Sequence, residues 1–498
     1  MSKNRTRVDS AALNRRQLLS AAAGTALTVG SSSVLAQSSS TVCMSAKDPD
    51  VLDAVIIGGG LAGLTAARDL SLAGSDNFVL LEARDRVGGR TFNHDLKHGG
   101  FSEAGGQWIS YNQTAVWDLV RQLNLGSFST PIEGKIVYLS GDSGRFEEEN
   151  SGAFSGSPET KKVIHELNEL AKSVPSGAAW TAPRAAELDA ISLYDWLKTK
   201  NLNDVDMWSQ VVGAYLSNVV HAQKISLLYF LSMINSADSS YEQLEGFGVG
   251  SAQETRIEGG SQRISQVMAE QLGDKVKMSI PVRKISDWNG DVVTIHTDHG
   301  VFRTRKVIMA MQPVMCNAID YQPALPAARK QLQQTWPAHG PARKTATVYP
   351  KPFWREKGYC GWVIQADGPV FWAYDNSPED DSVGIINAFV NHAMISDDDD
   401  TASKQLAEIY AQALGEEALT PIEFAQTDWG QEEFTRSCVS PLPPGYLTSG
   451  IMPALRESVG NIIWSGTETA EIWHGYMDGA VRSGHSAALI VLNSLNNA

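Results

Sequence analysis

Residues 51–57 (Val-Leu-Asp-Ala-Val-Ile-Ile) form a short apolar run rich in β-branched side chains, the pattern of a strand buried in a parallel sheet. Glycines follow at once. A helical spacing of apolar residues then runs from Leu61 to Leu72, and Phe78-Val79-Leu80-Leu81 predicts a second strand. Together they make a strand–helix–strand unit of about thirty residues, the size of one nucleotide-binding half. Residues 140–160 are dominated by glycine, serine and acid and predict a loop, whereas 160–250 read mostly as helix, broken at Pro175 and Pro183. Short strands return between 276 and 310, with turns at Asn289-Gly290 and His299-Gly300, and again over 343–390. Asp397–Asp400 precede a helical pattern at 401–414, where acidic side chains suit a helix N-terminus better than a calcium site. Ile462-Ile463-Trp464 predicts a strand, and a last helix begins near 475.

Nucleotide-binding patterns therefore sit at both ends of the chain. They predict an α/β protein with a discontinuous Rossmann-like cofactor domain (51–125, 252–325 and 426–498) and an inserted α+β substrate domain (126–251 and 326–425). The 498 residues, 43% of them hydrophobic, suffice for two cores. A formal charge of −15 argues against a nucleic-acid partner, whose phosphates would be repelled. Cys43, Cys316, Cys360 and Cys438 lack the close pairing of a zinc site or a disulfide framework. Arg15-Arg16 before a weakly apolar run ending at Ala36 reads as a twin-arginine (Tat) signal over 1–36, followed by a linker over 37–50. That makes the Tat machinery a partner, the periplasm or exterior the destination, and stable membrane insertion unexpected. A homodimer is compatible with the sequence and not specified by it.

Gly58-Gly59-Gly60-Leu61-Ala62-Gly63 satisfies G-x-G-x-x-G between the first strand and its helix. Gly58 permits the tight turn, Gly60 the approach of a pyrophosphate, and Gly63 close packing of helix on strand, while the helix N-terminus offers N–H donors. Glu82 closes the second strand, where a carboxylate can accept from a ribose diol. Ala83 and Arg84 lead to a second glycine pair, Gly88-Gly89, and Arg90; Gly105-Gly106-Gln107-Trp108 follows.

With these elements in this order the chain resembles the flavin amine oxidase superfamily over 51–497, most closely its monoamine oxidase branch at 82–108, 344–361 and 428–480. Trp464-Ser465-Gly466-Thr467-Glu468-Thr469-Ala470 and Trp473-His474-Gly475-Tyr476-Met477 are similar to that family's closing flavin site. The resemblance implies FAD, held by the three glycine stretches, by Val282, and by Gly466, Thr467, Glu468, Gly475, Tyr476 and Met477. It assigns Lys344 the lysine that holds a water beside the flavin, with Arg343 the alternative should the register slip by one. Counting from Trp429 places Cys438 at the cysteine that some members join to FAD. Counting back from Pro443-Pro444-Gly445 leaves the chain one residue short, so covalent and non-covalent FAD both stay open. Tyr476 matches one of two tyrosines flanking the amine; Val439 stands at the other, with Trp429 the aromatic that could compensate.

The implied chemistry is hydride transfer from a primary or secondary amine to FAD, reoxidation by O2 with release of H2O2, and hydrolysis of the imine to aldehyde and ammonia or a smaller amine. A monoamine is the first expectation, with Val439 in place of the second tyrosine counting against a strict preference for aromatic monoamines, and a diamine or polyamine is the second. An amino-acid oxidase, which needs an arginine for the substrate carboxylate, and a non-catalytic flavin-binding protein follow.

Overall fold

A computed structural model describes residues 50–140, 144–150, 157–203, 206–207, 210–211, 213–214, 221–337, 343–365, 368–437, 439 and 441–496. The predicted Tat segment and Cys438 lie outside them.

The first sheet is built on β1 (Val51–Ile57) and β2 (Phe78–Leu81), which run parallel with Ala54 opposite Phe78 and Ile57 opposite Leu81. The long strand Gly300–Ala310 lies parallel to β1 on its other side. Its first residues pair antiparallel with Val293–Thr297, and its last with Ile462–Ser465, so a C-terminal strand enters a sheet begun by the N-terminal unit. The helix Leu61–Leu72 covers one face and packs on the closing helix Met477–Asn496, which starts two residues beyond the predicted point. Leu64, Leu70, Ile56 and Leu80 are fully buried between them.

The second sheet has seven strands in the order 423–428, 343–349, 384–390, 370–375, 359–365, 135–140 and 144–149. Its last member corrects the predicted loop. Gly144–Glu149 is an edge strand although three of its six residues are glutamates. Charge that resembles a loop is here paired: Lys135 reaches Glu147 across the hairpin, Arg145 reaches it along the same strand, and Tyr138 stacks on Phe146 with centroids 4.5 Å apart. The helix Asp399–Leu414 covers one face, its N-terminus capped by Asp398, which accepts from Thr401 N at 3.0 Å. Short helices between 158 and 245 form a third core with Trp473 and the segment 442–455. Among the described residues no helix is long and apolar enough to cross a membrane.

Candidate active site

A cavity of about 310 Å³ runs from the glycine turn after β1 to the face of the second sheet. At its first end the wall is main chain. Gly58 has φ +110°, and a Cβ there would stand 2.5 Å from Ala310 O. A Cβ on Gly63 would stand 2.0 Å from Gly58 O, so the helix is seated directly on the turn. No side chain caps this helix at Gly60, which leaves the first-turn N–H groups at Leu61, Ala62 and Gly63 without intrahelical acceptors. Gly58, Gly60, Leu61 and Ala62 line the cavity; Gly63 acts from behind them.

Glu82 is buried at the end of β2, its Oε2 accepting from Gly59 N at 2.6 Å and its Oε1 from Arg84 N at 2.9 Å. Each oxygen keeps a second lone pair for a ligand hydroxyl. Ala83, Arg84, Val282 and Arg283 continue this wall, and Thr435 accepts from the Arg84 guanidinium at 2.5 Å. An uncapped helix N-terminus beside a carboxylate, in a channel that added Cβ atoms would choke, fits a dinucleotide pyrophosphate and ribose. FAD suits these residues, and Gly88, Gly89, Arg90, Gly105 and Gly106 extend the cradle.

The other end is made of side chains. Along the strand Arg343–Tyr349 alternate residues face opposite ways. Arg343 turns outward, bound to the carbonyls of Ile395 and Ser396 and to Asp397. Lys344 turns into the cavity wall, its Nζ donating to Gly105 O at 2.9 Å and to Gln107 Oε1 at 2.6 Å. Register across the sheet places Phe389 beside Lys344 and Trp372 beside Phe389. Trp108 and Phe247 pack on Trp372, with centroids 5.5 and 5.3 Å away. Trp429 is buried, its indole N–H donating to Ala104 O at 2.7 Å, and it lines the cavity together with Val439.

The Tyr476 hydroxyl donates to Leu244 O at 3.2 Å. Burial, reinforced by the charge of Glu245, holds that phenol well above its usual range, so it stays protonated. Gly466, Thr467, Gly475 and Met477 complete the lining, with Thr467 Oγ1 donating to Tyr476 O at 2.7 Å. The Glu468 carboxylate accepts from Arg90, itself a lining residue, at 2.7 and 3.2 Å, which sets it one step behind the cavity wall. His474 lines a smaller neighbouring cavity, and burial lowers its imidazole to about 4, so it is neutral at physiological pH.

Phe247, Trp372 and Phe389 were not singled out by the sequence. They carry no motif, and the one signal available is their placement in apolar segments whose facing depends on strand pairing. The buried ion pair between Arg256 and Glu103 beneath the Gly105–Gln107 stretch, at 3.1 Å, was missed for the same reason.

A mainly parallel α/β sheet with a dinucleotide cradle, joined to a second sheet that presents a buried lysine among aromatic rings, is the arrangement of a flavoprotein oxidoreductase. The family described as flavin containing amine oxidoreductase matches residues 61–492, and the chain belongs to it. Amine oxidase [flavin-containing] A of Equus caballus is 32% identical over 467 residues, covering 89% of this chain and 86% of that one. Among solved structures, cyclohexylamine oxidase from Brevibacterium oxydans IH-35A superposes with TM-score 0.81 at 29% identity, covering 90% of this chain and all of the other. Wild-type putrescine oxidase bound to putrescine gives 0.80 at 31% identity, covering 89% and 99%. The protein is an FAD-dependent amine oxidase with a Rossmann-like cofactor domain.

Proposed function

We propose that the substrate is a primary or secondary monoamine with an apolar, ring-bearing body, and that O2 is the electron acceptor. The wall of the amine end carries this reading. Trp108, Phe247, Trp372, Phe389, Trp429 and Tyr476 supply ring surface, and Glu82, at the nucleotide end, is the only carboxylate among the described lining residues. A second ammonium group would meet no opposite charge in that lining. The lining arginines are already engaged, Arg84 by Thr435, Arg90 by Glu468 and Arg283 by Asp298, which disfavours an amino-acid carboxylate. Removal from water in this cavity, which holds no carboxylate at the amine end, favours the neutral amine over its ammonium form, and only the neutral form has a nitrogen lone pair.

Bound FAD supplies the two-electron oxidation of the amine's carbon–nitrogen bond. Lys344 Nζ, fixed between Gly105 O and Gln107 Oε1, holds water where the imine is hydrolysed. Trp429 and Tyr476 bound the space for the amine and exclude bulk water. Cys438 would hold the cofactor covalently, its S–H and one flavin methyl C–H bond being replaced by the thioether while the two electrons and two protons pass through the flavin to O2, giving H2O2. Its spacing from Trp429 supports this, and acid precipitation tests it: the yellow colour stays in the wild-type pellet and leaves with Cys438→Ala. The Arg15-Arg16 pair supports export by the Tat route, and Arg15→Lys with Arg16→Lys should keep the protein in the cytoplasmic fraction.

A diamine reading has one observation in its favour, the buried Glu245 whose charge reaches Tyr476, but that carboxylate stands behind the lining. A peroxide-coupled assay across benzylamine, cyclohexylamine, putrescine, spermidine and L-leucine decides. Ring-bearing monoamines should exceed the others in kcat/KM by more than about 100-fold. A preference for putrescine would overturn the reading and point to Glu245.

A further inference from the structure

We infer that Gln107 is a positioning residue for Lys344, clamping the ammonium at one point of the cavity wall and setting the pH at which it loses its proton. The inference rests on the proposed role of Lys344. Gln107 Oε1 accepts from Lys344 Nζ at 2.6 Å and from the Tyr374 hydroxyl at 2.6 Å, while Gln107 Nε2 donates to Asn376 Oδ1 at 2.8 Å. An ammonium can only donate, so the carbonyl oxygen of the amide is forced to face it. Burial raises the Tyr374 phenol well above its usual range, which keeps it a donor to the same oxygen. The amide therefore has one orientation, and every contact in the set agrees with it.

The brace continues away from the cavity. Asn376 O accepts from Arg256 Nη2 at 3.2 Å, Ser377 O accepts from Nη1 at 2.8 Å, and Arg256 Nε donates to Glu103 Oε2 at 3.1 Å. Ser261 N holds the other Glu103 oxygen at 3.0 Å. Tyr374, Asn376, Arg256 and Glu103 do not line the cavity, and all are at most 1% exposed. An apolar side chain of similar length could fill the space of Gln107, so packing alone does not require a carbonyl under the lysine.

Desolvation works against the Lys344 charge. The acceptors Gly105 O and Gln107 Oε1 work for it, as do the faces of Trp108, Tyr374 and Phe389, 5.3–5.6 Å from Nζ. The other ionisable groups on neighbouring elements are the Tyr374 phenol, Glu103 neutralised by Arg256, and His94, which with Glu103 and Lys344 lines a water-sized void behind the strand. Gln107 is the uncharged acceptor whose replacement moves this balance in a known direction.

The holoenzyme variants Gln107→Leu, Gln107→Glu, Tyr374→Phe and Lys344→Met test it. The readouts are FAD content, unfolding temperature, the pH titration of flavin absorbance without substrate, and the pH profile of kcat. Removing the acceptor disfavours the ammonium, so Gln107→Leu should lower the midpoint of both pH curves by about 1–2 pH units. Gln107→Glu should raise it, and in both variants the midpoint is read on the FAD-loaded fraction, since Gln107 also lines the cofactor cavity. Tyr374→Phe keeps the clamp and should shift the midpoint less than Gln107→Leu; a larger shift would transfer the role to Tyr374 and overturn the inference. If Lys344→Met abolishes the titration and neither Gln107 variant moves it, Gln107 has no positioning role. If the titration survives in Lys344→Met, the titrating group is another one and the reading of Lys344 itself fails.

Discussion

Glu82 and the turn at Gly58 lie within one strand–helix–strand unit, while Gln107, Phe247, Lys344, Trp372, Trp429 and Tyr476 reach the same cavity from separate segments. The nucleotide end is walled mainly by main chain, with Glu82 its one carboxylate, and its shape follows from turn and helix geometry. The other end is walled by side chains, whose positions follow from how two sheets and a helical layer meet. At one end it matters most that Gly58 and Gly63 carry no Cβ; at the other, the identity of each side chain.

The comparison breaks most severely at Gly63. Gly63→Val puts a Cβ 2.0 Å from Gly58 O, too close for the helix to stay on the turn. The variant should purify without FAD, as its visible absorption would report; a yellow Gly63→Val protein would show that the turn can open without losing the cofactor.

Lys344→Met attacks the other end and should separate the two functions. FAD content should hold, while kcat falls by about 10²–10⁴-fold, the range of general acid–base assistance. Stopped-flow measurement of both half-reactions checks this, and unchanged rates in both would remove Lys344 from the chemistry.

Glu103→Gln sharpens the contrast by touching neither lining. It leaves the Arg256 guanidinium buried opposite an amide, and breaking a buried pair costs about 3–5 kcal/mol. Denaturant unfolding should show that loss, with kcat reduced less than in Lys344→Met.

The smallest effect is expected at the rim of the nucleotide end. Glu432, over a third exposed, lies 3.4 Å from Arg84. Pairs of this kind contribute about 0–1 kcal/mol, so Glu432→Gln, made in a Cys438→Ala background where FAD exchanges freely, should weaken FAD binding less than about fivefold. A larger loss by flavin fluorescence would make the 429–437 segment a structural part of the cradle.

Much of this was legible in one dimension. β1, the helix Leu61–Leu72 and β2 follow from period and composition, because a strand buried on both faces is apolar throughout and a glycine-rich turn must separate it from its helix. The placement of Gly58, Gly60 and Glu82 around one space follows from the same local geometry. Lys344 could be named only by resemblance, with its neighbour Arg343 the alternative should the register slip by one. Strand pairing sets the two on opposite faces: Arg343 faces the carbonyls at 395–396, Lys344 faces Gly105 and Gln107. The edge strand Gly144–Glu149 was hidden by its charge, which only the partner strand explains. The pairing of Glu468 with Arg90, 378 residues apart in the chain, is likewise visible only in three dimensions. The local code determined the nucleotide cradle because short-range backbone geometry builds it. The amine wall, the lysine's clamp and the choice between neighbours belong to long-range register, where a shift of one residue turns every side chain to the opposite face.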